Sequence, residues 1–249
     1  MPDGVIIADS NDNNIFRSVT TGNFNDARDH STGILNSPTS TTVVIGQAMS
    51  LNNRGGGTRH FVSRGFFYFD TSDVTGTLSD ATLKLQRDLN SATNPSLIIV
   101  KATAFGGDGQ TALATTDFKA ISGWQDNTSL AGLATDYSSV ITSLNPNTTI
   151  QITLNAAALA DIKNNDAFII CAMQYSKDYL NVDPGSPVSI NSNSLVRSVD
   201  TNFNAVFRPQ LVYNLAPTGY GNDVSGVASS NIGKVNEVAT ANIEKIIGV

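Results

Sequence analysis

Charge is scarce in this 249-residue chain: Asp, Glu, Lys and Arg make up 14% of it, against roughly 25% in ordinary globular proteins. No glutamate occurs before position 237, and both, Glu237 and Glu244, fall in the C-terminal stretch. There is one cysteine, Cys171, so no intrachain disulfide can form. Lysine and arginine are never clustered and the net charge is −6, which excludes a surface that tracks a phosphate backbone; no nucleic-acid partner is expected. The apolar runs are too short to cross a bilayer as helices, so no membrane insertion is expected either. The opening Met1-Pro2-Asp3-Gly4 lacks the basic and apolar regions of a signal peptide. A chain assembled inside a cell, or one already stripped of a leader, follows.

The chemistry-bearing residues are equally thin. His30 and His60 have no metal-ligand spacing, and neither a His-Glu-x-x-His nor a paired-cysteine motif is present. Acid–base and nucleophilic catalysis need tunable groups held together in a cleft, and no such set is singled out. The reading is therefore not an enzyme, with no catalytic, cofactor-binding or metal-binding residue nominated. Cys171 lies in the apolar run Ala167–Met173 and reads as a buried, inert thiol.

What the chain does contain is a hydrophobic share of 40%, enough for a real core, with polarity supplied by Asn, Ser and Thr. Short β-branched and aromatic runs alternate with Asn, Asp, Gly, Ser and Pro clusters, the pattern of many short strands. Strands are predicted at Val5–Ala8, Ile15–Val19, Thr42–Ile45, Arg64–Phe69, Ala81–Leu89, Leu97–Ala104, Thr148–Leu154, Ala167–Met173, Val188–Asn191 and Gln210–Tyr213. That number fits two packed sheets. Thr82-Leu83-Lys84-Leu85-Gln86-Arg87 alternates, so one face should be buried. Phe66-Phe67-Tyr68-Phe69 is apolar on both sides, as a central strand covered on both faces would be. One short helix is expected after an Asn155 cap, running to Lys163.

Beyond Pro217 the composition changes. A Gly/Asn linker spans 217–223, and a tail, 224–249, follows the domain formed by 1–216. The tail repeats itself with a period of eleven: Val227–Val235 aligns with Val238–Ile246. Its apolar positions Val224, Val227, Ile232, Val235, Val238, Ile243 and Ile246 fall at the three-and-four spacings of a helical stripe. Gly226 and Gly233 make it a poor solitary helix, since each interior glycine costs about 1 kcal/mol against alanine. A helix that needs a partner surface is the expectation, which makes those seven residues the attachment or oligomerisation site.

Three smaller features have bland readings. The run Arg54-Gly55-Gly56-Gly57-Thr58-Arg59-His60 lacks the Lys-Ser/Thr ending of a phosphate loop and reads as a surface loop, its arginines and His60 available to a neighbouring subunit. Asp9, Asn11 and Asn13 alternate like the start of a calcium loop but lack its central Gly and terminal Glu. No cofactor is expected; calcium is the one ion this alternation would suit. Trp124 reads as a core plug in preference to a sugar platform.

Arg64-Gly65-Phe66-Phe67-Tyr68-Phe69-Asp70, then Leu78-Ser79-Asp80-Ala81-Thr82-Leu83-Lys84-Leu85, and finally Arg208-Pro209-Gln210-Leu211-Val212-Tyr213, together resemble the DNRLRE-type β-sandwich family. That family is similar to jelly-roll carbohydrate-binding modules. The resemblance covers about 5–215 and implies an all-β, jelly-roll-like antiparallel β-sandwich. The tail residues Lys234–Ile243 resemble C-terminal segments of structural proteins from marine tailed phages, with Glu237 standing where the pattern often has Gly, so the reading does not depend on a tight turn there. The implied function is that of a virion structural protein, a capsid decoration or head- or tail-fibre subunit assembled in the host cytoplasm. Other virion proteins and further copies of the chain would be its partners. The alternative is a carbohydrate-binding module that takes a host glycan on aromatics such as Tyr175, Tyr179 or Trp124.

Overall fold

Strand β6, Thr58–Asp70, is the spine of the molecule. The structure, a computed structural model, describes residues 2–9, 12–36, 42–52, 56–86, 96–142, 149–185, 194–197, 208–216, 234–235 and 238–239. One edge of β6 pairs with β2, Asn13–Val19, and β2 in turn with β3, Ile34–Leu35. Its other edge is shared: β5, Gln47–Asn52, takes the first half, and β10, Ala167–Gln174, takes the second. Beside β10 lies β8, Leu97–Lys101. A second sheet has the order β1 (Gly4–Ile7), β12 (Gln210–Leu215), β7 (Leu78–Gln86), β9 (Thr149–Thr153). All of these pairings are antiparallel, and the molecule is an all-β sandwich.

The alternation in β7 explains how the sheets meet. Ala81, Leu83 and Leu85 are buried while Thr82, Lys84 and Gln86 are partly wet, because successive side chains of a strand point to opposite faces. Leu83 and Leu85, with Ile150 and Ile152 of β9 and Leu211 of β12, pack on Phe67 and Phe69 of β6 and Phe168 and Ile170 of β10. Burying each such side chain contributes about 1.5–3 kcal/mol. Strand β4, Thr42–Ile45, paired with β11, Ser194–Arg197, adds Val43 and Ile45 to this core. Gly65 is where Ile45 lies on the spine: a Cβ there would sit 2.0 Å from the Ile45 methyl.

The even-numbered residues of β6 face the other way, into a second core. Phe66 and Tyr68, with Val100, Ile169, Cys171 and Met173, meet Phe24, Phe105, Phe118, Leu130 and Tyr179. The expectation of a strand covered on both faces holds. The cover is not a sheet, however. It is helix α1 (Phe24–Arg28), the chain from Ala102 to Ala134 with two short 3-10 turns, and a π-helical turn at Tyr175–Tyr179.

Helix α2, Ala156–Asn164, forms where the sequence places it, with Asn155 accepting from the Ala158 N–H and Ala158 and Ile162 buried. Sequence reasoning expected one helix and missed α1, which is five residues long and closed by a capping box between Asn23 and Asp26. The strand expected to reach Ala104 ends at Lys101, and only Ala102 pairs beyond it, with Ile121. Strands β5, β3 and β11 were not anticipated. The expected strand Val188–Asn191 lies outside the described residues.

Candidate functional site

Val224, Val227, Ile232, Ile243 and Ile246 lie outside the described residues. Val235 and Val238 are paired with one another in a small antiparallel ladder, β13 (Lys234–Val235) and β14 (Val238–Ala239), with Lys234 opposite Ala239. This corrects the helical stripe at those positions. The physical reason is in the composition: Val235 and Val238 are β-branched, which disfavours a helix and suits a ladder. The seam between the two repeats is where the ladder falls.

The aromatic residues nominated for glycan stacking are not a platform. Tyr179 is buried, with its hydroxyl donating to Asp136 at 2.9 Å and 3.0 Å. Tyr175 is half-buried and stacks on Tyr179, ring centroids 5.2 Å apart. Trp124 is half-buried against the second core, and its Nε1 donates to Asp126. None of the aromatic side chains among the described residues is fully exposed.

What sequence reasoning missed is the buried node around Arg64. Its Nε and Nη2 donate to both carboxylate oxygens of Asp178, at 2.8 Å and 2.7 Å, and further N–H groups reach the carbonyls of Phe118 and Arg28. Arg28 donates to the carbonyls of Asp178 and Thr128 and to the Asp29 carboxylate. The Arg64 guanidinium lies 4.2 Å from the rings of both Phe118 and Trp124, and Arg28 lies 4.4 Å from Trp124. The result is a stack of Phe118, Arg64, Trp124 and Arg28. All three charged side chains are fully buried and fully engaged. Burial lowers the Arg28 pKa, against the pull of Asp178. The node is a structural clamp, and the only sequence signal for it was an Arg opening an apolar strand.

A cleft of about 510 Å³ opens beside β8 and α2, lined by Lys101, Asp108, Gln110, Asn164, Asn165 and Asp166 among others. At its base the Asp161 carboxylate accepts from Lys101 at 2.8 Å, from the Tyr137 hydroxyl, and from Asn165. Burial alone would raise the Asp161 pKa; the hydrogen bonds from Lys101 and Tyr137 outweigh it and hold the carboxyl below its usual value. Burial and the Asp161 carboxylate push the Tyr137 phenol up. Tyr137 therefore stays a donor and Asp161 an acceptor, and both are occupied by each other. The cleft lining mixes these polar groups with Ala102, Ala167 and Ile169.

Cys171 is buried and its thiol pKa is pushed up by desolvation, which fits the inert reading. His60 is buried and bonded to Ser50, so it faces no neighbouring subunit, contrary to expectation. Arg59 is exposed and donates to Ser18, and Arg54 lies outside the described residues. Asp9 follows β1, its N–H bonded to the Tyr68 carbonyl, whereas Asn13 opens β2 opposite Phe66, with its Oδ1 accepting from the Asn14 N–H, so the loop reading does not hold for Asn13. Asn11 is outside the described residues. Among the described residues no three His, Cys or acidic side chains are placed to share an ion, and no helix is long and apolar enough to cross a membrane. In comparison with known proteins, no protein-family model matches the chain, and no curated protein matches it.

Proposed function

We propose that this chain is a non-enzymatic structural protein of a tailed-phage virion, a capsid decoration or fibre subunit. In this reading the sandwich faces solvent and the tail docks on the particle or on further copies. The observation that carries it is the eleven-residue repeat lying beyond β12. Among the described residues the sandwich pairs its first strand with its last, β1 with β12, and the repeat follows β12 in the sequence. A repeated, apolar, low-charge segment appended to a folded body is what an attachment peptide requires. The low charge, the buried and mutually engaged titratable groups, and the resemblance of Lys234–Ile243 to phage structural tails support the same reading.

Deleting 224–249 tests it. The truncated chain is expected to keep the melting transition of the sandwich and to lose incorporation into particles. Truncated chain found on particles at the full-length level would refute the attachment role.

The second reading, a carbohydrate-binding module, is favoured by one observation, the polar cleft with its amides and carboxylates. The test is a glycan array with Asn164→Ala/Asn165→Ala as control. Binding that disappears in the variant would establish it, and an empty array would remove it.

A further inference from the structure

We infer that the cleft beside β8 and α2 takes an alkylammonium group, a primary amine on an aliphatic stem, at the rim formed by Asp108 and Asp166. The inference is independent of the tail and goes beyond both readings above.

The charges of the lining do not balance. At the base, Lys101 and Asp161 neutralise one another at 2.8 Å. Asp108 and Asp166 remain, both exposed, and no described cation is paired with either. The Asp108 carboxylate takes the Gln110 N–H at 3.0 Å, and among the described residues nothing donates to the Asp166 carboxylate. The lining therefore carries a net charge of −2.

Exposed carboxylates alone make no site, because water satisfies them. The Tyr68 hydroxyl supplies what they lack. Tyr68 is 9% exposed, and its hydroxyl has no hydrogen-bond partner among the described residues. Tyr68 and Asp70 of β6 stand opposite Ile169 and Ala167 of β10 on one face of the sheet, and Ile169 and Ala167 line the cleft. The loop that carries Asp108 and Gln110 closes on the Tyr68 ring through Gly109, where a Cβ would lie 2.3 Å from the ring. Burial first, then the charges of Asp70, Asp9, Asp108 and Asp166, push the phenol pKa up. Tyr68 thus stays a neutral hydroxyl at the rim, with lone pairs open to a donor.

A rim of acceptors selects a ligand made of donors. A metal ion needs several oxygens converging on one point, and among the described residues no three acidic side chains do so. A protonated amine has three N–H donors that point apart and no acceptor, which suits acceptors spread along a rim. Its stem also has a surface to lie on. Ala102, Ala167 and Ile169 interrupt the polar lining, and an aliphatic chain covers such surface while its charged head stays wet.

Two sources carry this chemistry, a free polyamine and the lysine side chain of a partner protein. Isothermal titration calorimetry of the full-length chain with spermidine, and separately with Nα-acetyl-lysine amide at the same ionic strength, distinguishes them: the tighter probe marks the source. Because the carboxylates are exposed, a Kd on the order of 1 mM is expected for that probe. Asp108→Asn/Asp166→Asn, with its melting transition checked, should weaken binding at least about tenfold, and Tyr68→Phe about threefold. Asp73→Asn/Asp183→Asn removes the same charge from exposed positions elsewhere and should leave binding unchanged. Equal weakening in the two double variants would mean that the probes sense net charge alone, and overturns the inference. So does full affinity in Tyr68→Phe, or no binding of either probe up to about 20 mM. Calcium chloride binding that is lost in Asp108→Asn/Asp166→Asn would make this a metal site. Probe binding kept in that variant but lost in Asn164→Ala/Asn165→Ala would put recognition on the amides. Either result overturns the inference as well.

Discussion

The two faces of the β6 sheet are both buried, but by different means. Between the sheets the cover is another set of strands, whose backbone groups are satisfied in their own ladders. On the opposite face the cover is coil, short helices and turns, which bring carbonyls into the interior with no ladder to satisfy them. All three buried members of the Arg28, Arg64 and Asp178 cluster lie on that side. The guanidinium groups donate to the carbonyls of Arg28, Phe118, Thr128 and Asp178. Arginine, with five donors in a rigid fork, here does for coil what a neighbouring strand does for a sheet. A layer without regular structure can be packed tightly if a few charged side chains collect its loose backbone groups.

The largest effect should come from breaking that arrangement. Arg64→Met leaves the Asp178 carboxylate buried without its two-pronged partner and strips donors from two carbonyls. A loss of about 3–5 kcal/mol in chemical denaturation is expected. Leu83→Ala in the sheet-to-sheet core should cost a comparable amount, about 2–5 kcal/mol, by leaving a cavity. The double variant Arg64→Met/Asp178→Leu distinguishes the two kinds of core. If the ion pair alone matters, removing both charges recovers most of the loss; if the coil carbonyls matter, it does not. A single-variant cost below about 1 kcal/mol would mean the guanidinium groups do not hold the coil layer at all.

This contrast also explains what could be read from the sequence. Strands that pack sheet on sheet carry period-two alternation, so β9 was found to within a residue at each end, β7 was found although it begins three residues earlier than expected, and the Phe66–Phe69 run announced its two buried faces. The coil from Ala102 to Ile141 has no period, because its contacts are set by turns and by side chains such as Arg64 that come from far along the chain. Arg64 and Asp178 are separated by 114 positions, and nothing in either neighbourhood points to the other. The cleft residues Lys101, Tyr137 and Asp161 are scattered in the same way. The tail misled for a different reason: a repeat of eleven suits a helical stripe, but the β-branched residues at its seam follow local preference and pair as strands.

An intermediate effect is expected at Asp12, which precedes β2 and is 4% exposed. Its Oδ1 accepts from the Tyr68 N–H, while Oδ2 is buried without a partner. Desolvation raises its pKa well above the usual carboxylate value, with Asp9 adding to the shift. The folded state therefore holds this proton more tightly than the unfolded state does. Stability should fall as pH rises from the ordinary carboxylate range through the raised value. Asp12→Asn keeps the acceptor for Tyr68 and removes the charge, so it should flatten that slope and raise stability at neutral pH by on the order of 1 kcal/mol. A variant that is less stable than the parent at neutral pH would show that the carboxylate is matched by a group that Asn cannot satisfy.

The smallest effect belongs to the rim of the coil layer. Asp126 accepts from Lys119 and from the Trp124 indole, and these hydrogen bonds, the one from Lys119 foremost, lower its pKa. The pair's stabilisation is present above the ordinary carboxylate value and is lost as pH falls through the lowered one. With the Asp126 side chain 49% exposed, solvent screens the interaction, and Asp126→Asn should cost less than about 1 kcal/mol. Because Trp124 is the chain's one tryptophan and sits between Arg28 and Arg64, its emission reports directly on the stack. Asp126→Asn should shift that emission while leaving the denaturation midpoint almost unchanged, whereas Arg64→Met should move both. If Asp126→Asn destabilises the chain as much as Arg64→Met does, the clamp extends to the surface, and the contrast between a charged interior and a screened rim fails.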